Sequence, residues 1–159
     1  MQTIMITGCS SGFGLETARY FLEQGWKVIA TMRAPQEGVL PASDRLRLVR
    51  LDVTSAQSIA EAIAEVGEID VLVNNAGVGM LNALEGAPRE AIANLFATNT
   101  LGTIAMTQAV IPRFRERRSG TIVNITSAVT LQPMPLLAVY TASKAAVNAF
   151  TESLALELL

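Results

Sequence analysis

Tyr140 and Lys144 lie four residues apart, thirteen residues after Ser127, in a chain of 159 residues that opens with Thr7-Gly8-Cys9-Ser10-Ser11-Gly12-Phe13-Gly14. At a spacing of i to i+4, a phenol and an ammonium share one helix face. A free phenol, with a pKa near 10, is a poor base at neutral pH, but an adjacent ammonium favours its phenolate form. The couple is therefore suited to giving and taking a hydroxyl proton. Ser127, placed at the end of a strand, can hydrogen-bond a reacting carbonyl oxygen and stabilise charge that develops there. Gly8, Gly12 and Gly14 suit a second task. Glycine serves where the backbone turns sharply or approaches a pyrophosphate closely, and a helix N-terminus adds free N–H groups and a positive dipole end.

Other chemistries lack their residues. The chain has no histidine, which removes the usual general base and metal ligand and leaves a serine nucleophile without its activator. No Gly-Lys-Ser/Thr follows the glycines, so the loop is not that of a P-loop ATPase. One cysteine permits no internal disulfide, and Cys9, inside the turn, reads as a small packing residue. A net charge of −2 with no long basic block gives no basis for nucleic-acid or anionic-membrane binding. The cluster Arg113, Arg115, Arg117 and Arg118 falls at a predicted helix end, where cations complement the dipole. The first residues lead straight into a strand-like run and no apolar stretch is long enough to span a bilayer, which predicts a cytoplasmic protein.

The elements that must position these groups can be read from periodicity. Strand-like runs occur at Thr3 to Ile6, Lys27 to Thr31, Leu46 to Leu51, Val71 to Val73 and Thr121 to Thr126, each apolar enough for burial on both faces in a parallel sheet. Leu15, Ala18 and Leu22 keep helical spacing, with Gly25 where a helix stop is expected. Thr54 and Gln57 form a capping box ahead of Ile59, Ile63 and Val66. Pro88 opens a helical region broken near Asn99 to Gly102 and continuing to about Glu116, and a last helix runs from near Tyr140 to the end. Alternating strands and helices predict an α/β doubly wound parallel sheet of Rossmann-like type, a single dinucleotide-binding domain over residues 1–159.

The glycine spacing Gly-x-x-x-Gly-x-Gly after the first strand, Asn74-Asn75-Ala76-Gly77 after the fourth, and Tyr140-x-x-x-Lys144 occur in an order that resembles the short-chain dehydrogenase/reductase family. The resemblance runs from Thr3 to the end of the chain. It implies the strand order 3-2-1-4-5-6-7, with the last two strands missing here. It also implies an NAD(P)-dependent oxidoreductase that moves hydride between nicotinamide and an alcohol or carbonyl substrate. By the family pattern, Tyr140 is the acid/base, Lys144 holds ribose hydroxyls and supports the phenolate, Ser127 steadies the substrate oxygen, and Asn99 sustains a water-mediated relay. The cofactor residues implied are Gly8, Ser10, Ser11, Gly12, Phe13 and Gly14 of the loop, Arg33, Asp52 and Val53 at the adenine end, Asn75, Ala76 and Gly77, and again Tyr140 and Lys144. Asn74 reads instead as a structural turn residue.

Cofactor choice has a residue-level argument. A dinucleotide fold that prefers NAD places a carboxylate at the end of the second strand for the ribose 2′-hydroxyl, whereas a 2′-phosphate needs a cation. This strand runs into Thr31-Met32-Arg33, with no acid, and Arg33 offers a planar fork of donors, so NADP(H) is favoured over NAD(H). Met80, Leu81 and Leu84, and Met134, Leu136 and Leu137, can line a site for a bulky apolar alcohol or ketone, or serve the core equally well. Wording such as Ala-Thr-Met-Arg resembles the steroid- and retinol-handling branch of the family.

Whole family members continue into a sixth strand, a nicotinamide-contacting loop, a substrate lid and a seventh strand, and the chain as given ends at Leu159, before these. The expectation is a C-terminally truncated member with the fifth strand as an exposed edge, prone to association. In the family the helices equivalent to Leu101 to Glu116 and Tyr140 to Leu159 pair across a dimer axis, which implies a homodimer or homotetramer. The alternative function is a non-catalytic nucleotide-binding scaffold without turnover of its own. A sugar-nucleotide epimerase is disfavoured by the glycine spacing.

Overall fold

The structure is a computed structural model that describes residues Met1–Leu159. Five parallel strands, β1 (Thr3–Thr7), β2 (Lys27–Met32), β3 (Leu46–Arg50), β4 (Val71–Asn74) and β5 (Thr121–Asn124), form one sheet in the order β3-β2-β1-β4-β5. Register places Met5 opposite Ile29 and Leu72, and Val73 opposite Val123. Side chains alternate across the sheet. Ile4, Ile6, Val28, Ala30, Met32 and Val73 pack on one face with Ala18 and Leu22 of α1 (Gly12–Glu23). Met5, Ile29, Val49 and Leu72 pack on the other with Ile59, Ile63 and Val66 of α2 (Ala56–Val66) and Met106, Val110 and Phe114 of α4 (Gly102–Arg117). The two remaining helices are α3 (Arg89–Phe96) and α5 (Ala138–Glu157).

Expected and observed elements differ in informative places. Burial on both faces holds for β1, β2 and β4 but not for the edges: β3 and β5 have alternating or partial exposure, because each has a neighbour on one side only. The link from β2 to β3 carries no helix, and the loop closes that flank with the buried side chain of Leu40. The cap of α2 is Ser55, whose hydroxyl accepts from the Ser58 amide at 3.2 Å, rather than the Thr54–Gln57 box. Thr54 is otherwise engaged, its Oγ1 donating to Asp52 at 2.7 Å, while Gln57 donates to Glu61. The break near Asn99 is a π-helical turn, Ala97–Leu101, that joins α3 to α4 without interrupting the helical path. Gly25 does follow α1, in the left-handed region at φ 83°.

The arginine cluster lies at the end of α4 as expected, but its guanidiniums serve other elements. Arg113 donates to the carbonyls of Ile63 and Gly67 at 2.9 and 2.8 Å, capping the C-terminus of α2. Arg115 donates to the Glu157 carbonyl at the end of α5. Arg117 donates to the Ile69 carbonyl, lies over the Phe114 ring, and pairs at 3.8 Å with both Glu68 and Asp70.

Candidate active site

Strand order reverses between β1 and β4, and at such a switch point the loops leaving the carboxyl ends part to form a crevice. Gly8 leaves β1 and Asn75-Ala76-Gly77 leaves β4, and the two segments touch. A β-carbon at Gly8, which stands at φ 75°, would lie 2.8 Å from the Ala76 Cα. One at Gly14 would lie 2.3 Å from Asn75 Nδ2 and 2.4 Å from the Gly8 carbonyl oxygen. Gly12, at φ 60°, faces open space instead, so its requirement is conformational. The resulting cleft has a volume of about 670 Å³ and brings together Gly8, Ser10, Ser11, Gly12, Phe13, Arg33, Asp52, Val53, Asn75, Ala76 and Gly77. Of the loop residues expected here, Gly14 does not line the cleft; it is buried behind it.

Two residues shape this turn. Thr7 Oγ1 accepts from the amides of Asn75 and Ala76 at 3.0 and 2.9 Å, and the Asn75 side-chain amide donates to the carbonyls of Thr7 and Gly8 at 2.8 and 3.2 Å. The Asn75 side chain is thus committed to the loop's architecture. The residue at the N-cap of α1, Ser11, makes no side-chain cap, which leaves the first amides of the helix available. Open glycine backbone, uncapped amides and a flanking cation are the features that a pyrophosphate and a ribose phosphate require, so the cleft fits a dinucleotide.

At the far end of the cleft, Arg33 is exposed and takes part in none of the chain's ion pairs. Asp52 is held below the ordinary carboxylate range, first by the Thr54 hydroxyl and amide, which both donate to Oδ1, and then by the charges of Arg33 and Arg50.

The second cluster meets the cleft at Gly77. A β-carbon at Gly77 would lie 3.3 Å from Asn99 Oδ1 and 3.4 Å from Lys144 Nζ, so these two side chains reach the rim lined by the turn after β4. Lys144 is 6% exposed and donates to the Ile125 carbonyl at 2.9 Å, just past β5. Burial pushes its ammonium below the usual lysine range. Asn99 is wholly buried in the π-helical turn and pairs with the Val78 backbone through both ends of its amide, at 2.8 and 2.9 Å. Tyr140, half-buried, stands in the first turn of α5 one turn ahead of Lys144, and no hydrogen bond joins the two side chains. Ser127 lies beyond the end of β5 rather than on it. Its hydroxyl caps the following turn, Ala128–Thr130, through a long 3.4 Å contact from the Val129 amide.

The two apolar segments meet each other through their backbones. The Asn82 amide donates to the Leu136 carbonyl at 2.9 Å, and Leu136 stands at φ 64°, left-handed backbone that a branched side chain rarely adopts. Leu81, Leu84, Met134 and Leu136 are exposed, Met80 and Leu137 are half-buried, and none of the six joins either core cluster. Cys9 is wholly buried and donates to the Ile6 carbonyl, and burial pushes its thiol up to about 12, so it packs and does not react.

Asn74 is structural but ends β4 rather than standing in the turn: its amide donates to Thr107 and to Asn124, and Asn124 passes the contact on to Thr151 of α5. Sequence reasoning missed Thr7, Thr100, Ser143 and Thr151. A threonine ending the strand before a glycine turn was the available signal for Thr7. For Ser143, it was a small hydroxyl one position before Lys144 and three after Tyr140.

Comparison with known proteins agrees with this geometry. The family profile described as "short chain dehydrogenase" matches residues 2–159. Retinol dehydrogenase 8 of Bos taurus is 42% identical over 170 residues, covering 99% of this chain and 54% of its own length. The 3-ketodihydrosphingosine reductase of Bacteroides thetaiotaomicron is 42% identical over 161 residues, covering 99% and 58%. Among solved structures, the closed form of serine dehydrogenase complexed with NADP+ superposes with a TM-score of 0.92 at 34% identity, over 99% of this chain and 66% of that one. The chain thus spans about half the length of the curated relatives it matches. No helix is long and apolar enough to cross a membrane.

Proposed function

The chain belongs to the short-chain dehydrogenase family, and on that premise we propose that it is an NADP(H)-dependent oxidoreductase acting on a bulky apolar alcohol or ketone, with Tyr140 as the acid/base. The observation that carries this reading is the convergence at Gly77, which lines the dinucleotide cleft and lies against both Asn99 and Lys144. When bound, the cofactor supplies or accepts the hydride.

The chain's own residues do the rest. The amides at the start of α1, with Ser10 and Ser11, hold the phosphates. Arg33 holds the 2′-phosphate with its uncommitted fork, while Asp52 and Val53 take the adenine end. Ser127 donates to the substrate oxygen, and Tyr140 gives or takes the hydroxyl proton. Lys144, a desolvated cation, favours the phenolate that this transfer requires and binds ribose hydroxyls. Asn99 holds the π-helical turn against Val78, where a relay from Lys144 to water can pass. The exposed side chains of Leu81, Leu84, Met134 and Leu136, on two segments joined by the Asn82–Leu136 bond, support an apolar substrate.

Replacing Tyr140 with Phe tests the mechanism. Turnover is expected to fall by roughly 10²- to 10⁴-fold, with NADPH affinity retained; unchanged turnover removes the assignment. Calorimetric titration with NADPH and NADH tests the cofactor. NADPH is expected to bind more tightly, and Arg33→Ala should cost about 1.5–3 kcal/mol for NADPH alone. Equal losses for both cofactors would count against the phosphate role.

A further inference from the structure

Ser143 has a role that the family motif residues do not describe. Its hydroxyl donates to the Tyr140 carbonyl at 2.7 Å, an i to i−3 bond that serine makes readily inside helices and that alone would mean little. The same oxygen, however, accepts from Asn99 Nδ2 at 3.2 Å. The Ser143 carbonyl accepts in turn from Thr100 Oγ1 at 2.9 Å. Consecutive residues of the π-helical turn therefore grip one residue of α5 by its side chain and its main chain. Neighbours on an ordinary α-helix point about 100° apart. The wider turn at Ala97–Leu101 narrows that divergence, so Asn99 and Thr100 can face one target. All three residues are buried, so each bond is made away from competing water.

Resting on the reading above, we propose that Ser143 is a positioning residue: clasped by Asn99 and Thr100, it sets the rotation and axial register of α5, and so the placement of Tyr140 and Lys144 at the rim by Gly77. Three consequences distinguish a positioning role from simple stability. Losing the clasp lets the first turns of α5 swing, which lowers the rate at which a bound complex reacts. Cofactor affinity, set mainly by the phosphate contacts on the glycine loop and only in part by Lys144 at the ribose, changes far less than the rate. The Asn99 side-chain amide, left with only the Val78 carbonyl as acceptor, exchanges its protons faster.

The test is Ser143→Ala, with Ser143→Thr as the conservative rescue and Thr100→Val as an independent break that removes one hydroxyl. The expected result for Ser143→Ala is a kcat lower by roughly 10- to 100-fold, a KM and NADPH affinity within about twofold of the parent, and faster exchange of the Asn99 amide by NMR. Ser143→Thr should recover most of kcat. If Ser143→Ala does not fold, Thr100→Val carries the same kcat and affinity criteria. Unchanged kcat, or a kcat that falls only in step with thermal stability and cofactor affinity, overturns the proposal. An inactive Tyr140→Phe with a fully active Ser143→Ala defeats the clasp alone, whereas a fully active Tyr140→Phe defeats the functional reading beneath it.

Discussion

Helix α1 is fastened to the sheet by Ala18 and Leu22 inside an apolar cluster of ten residues, whereas α5 contributes no residue to either core cluster. Only Ser143, Lys144 and Val147 of α5 are buried, and the helix is held mainly by directed polar contacts. These are Asn99 and Thr100 to Ser143, Lys144 to Ile125, Asn148 to Thr130, and Asn124 to Thr151. Apolar burial is non-directional and fixes location, whereas hydrogen bonds also fix angle. A helix that only has to present its amides to a phosphate can be fastened by burial. One that, in the proposed mechanism, has to aim a phenol and an ammonium at reacting atoms gains from bonds that specify rotation.

The contrast can be broken from the α1 side first. Gly14→Ala puts a methyl group against a backbone oxygen that has no room to move, so we expect loss of detectable NADPH binding and destabilisation by more than about 4 kcal/mol, read by calorimetry and urea unfolding. An alanine variant that binds normally would mean the turn is not rigid. Alkali attacks the same side through Cys9. In the folded state the thiol is held up at about 12 against an ordinary 9.0, so its stabilisation is complete below pH 9 and is lost as the pH rises toward 12. The stability of the parent relative to Cys9→Ala should fall over that window by about 4 kcal/mol. A pH-independent difference would show that the thiol ionises freely in the fold. The smallest effect belongs to α5. Thr151→Val removes the hydroxyl that accepts from Asn124 and donates to Val147, costing about 1 kcal/mol. Its amide exchange should quicken in the last turns of α5 and not in α1. Equal loss of protection in both helices would erase the distinction.

The same division governs what could be read from the residues in order. Strand runs, the glycine turn and the stop at Gly25 are local signals, and all five strands were legible from them, while their order came from the family resemblance. The true cap of α2 was not, because the carboxylate of Asp52 competes for Thr54 and leaves capping to Ser55. Nor was the π-helical turn, whose purpose is visible only once Asn99 and Thr100 are seen against a residue more than forty positions away. The types Tyr140, Lys144, Asn99 and Ser127 stood out by motif, and the structure brings Asn99 and Lys144 together at Gly77. The residues that aim them did not stand out, since small hydroxyls such as Thr7, Thr100 and Ser143 carry no local pattern. Their meaning lies in pairings distant in sequence.

Thr7 and Asn75 stand at the ends of adjacent strands and hold the glycine turn through four bonds before anything enters the cleft. The pocket is thus preorganised. A dinucleotide arriving there need not order the backbone that receives its phosphates, so little of its contact energy is lost to conformational entropy. Association then becomes a matter of encounter and charge, and in the proposed reaction the rate is left to the events at α5.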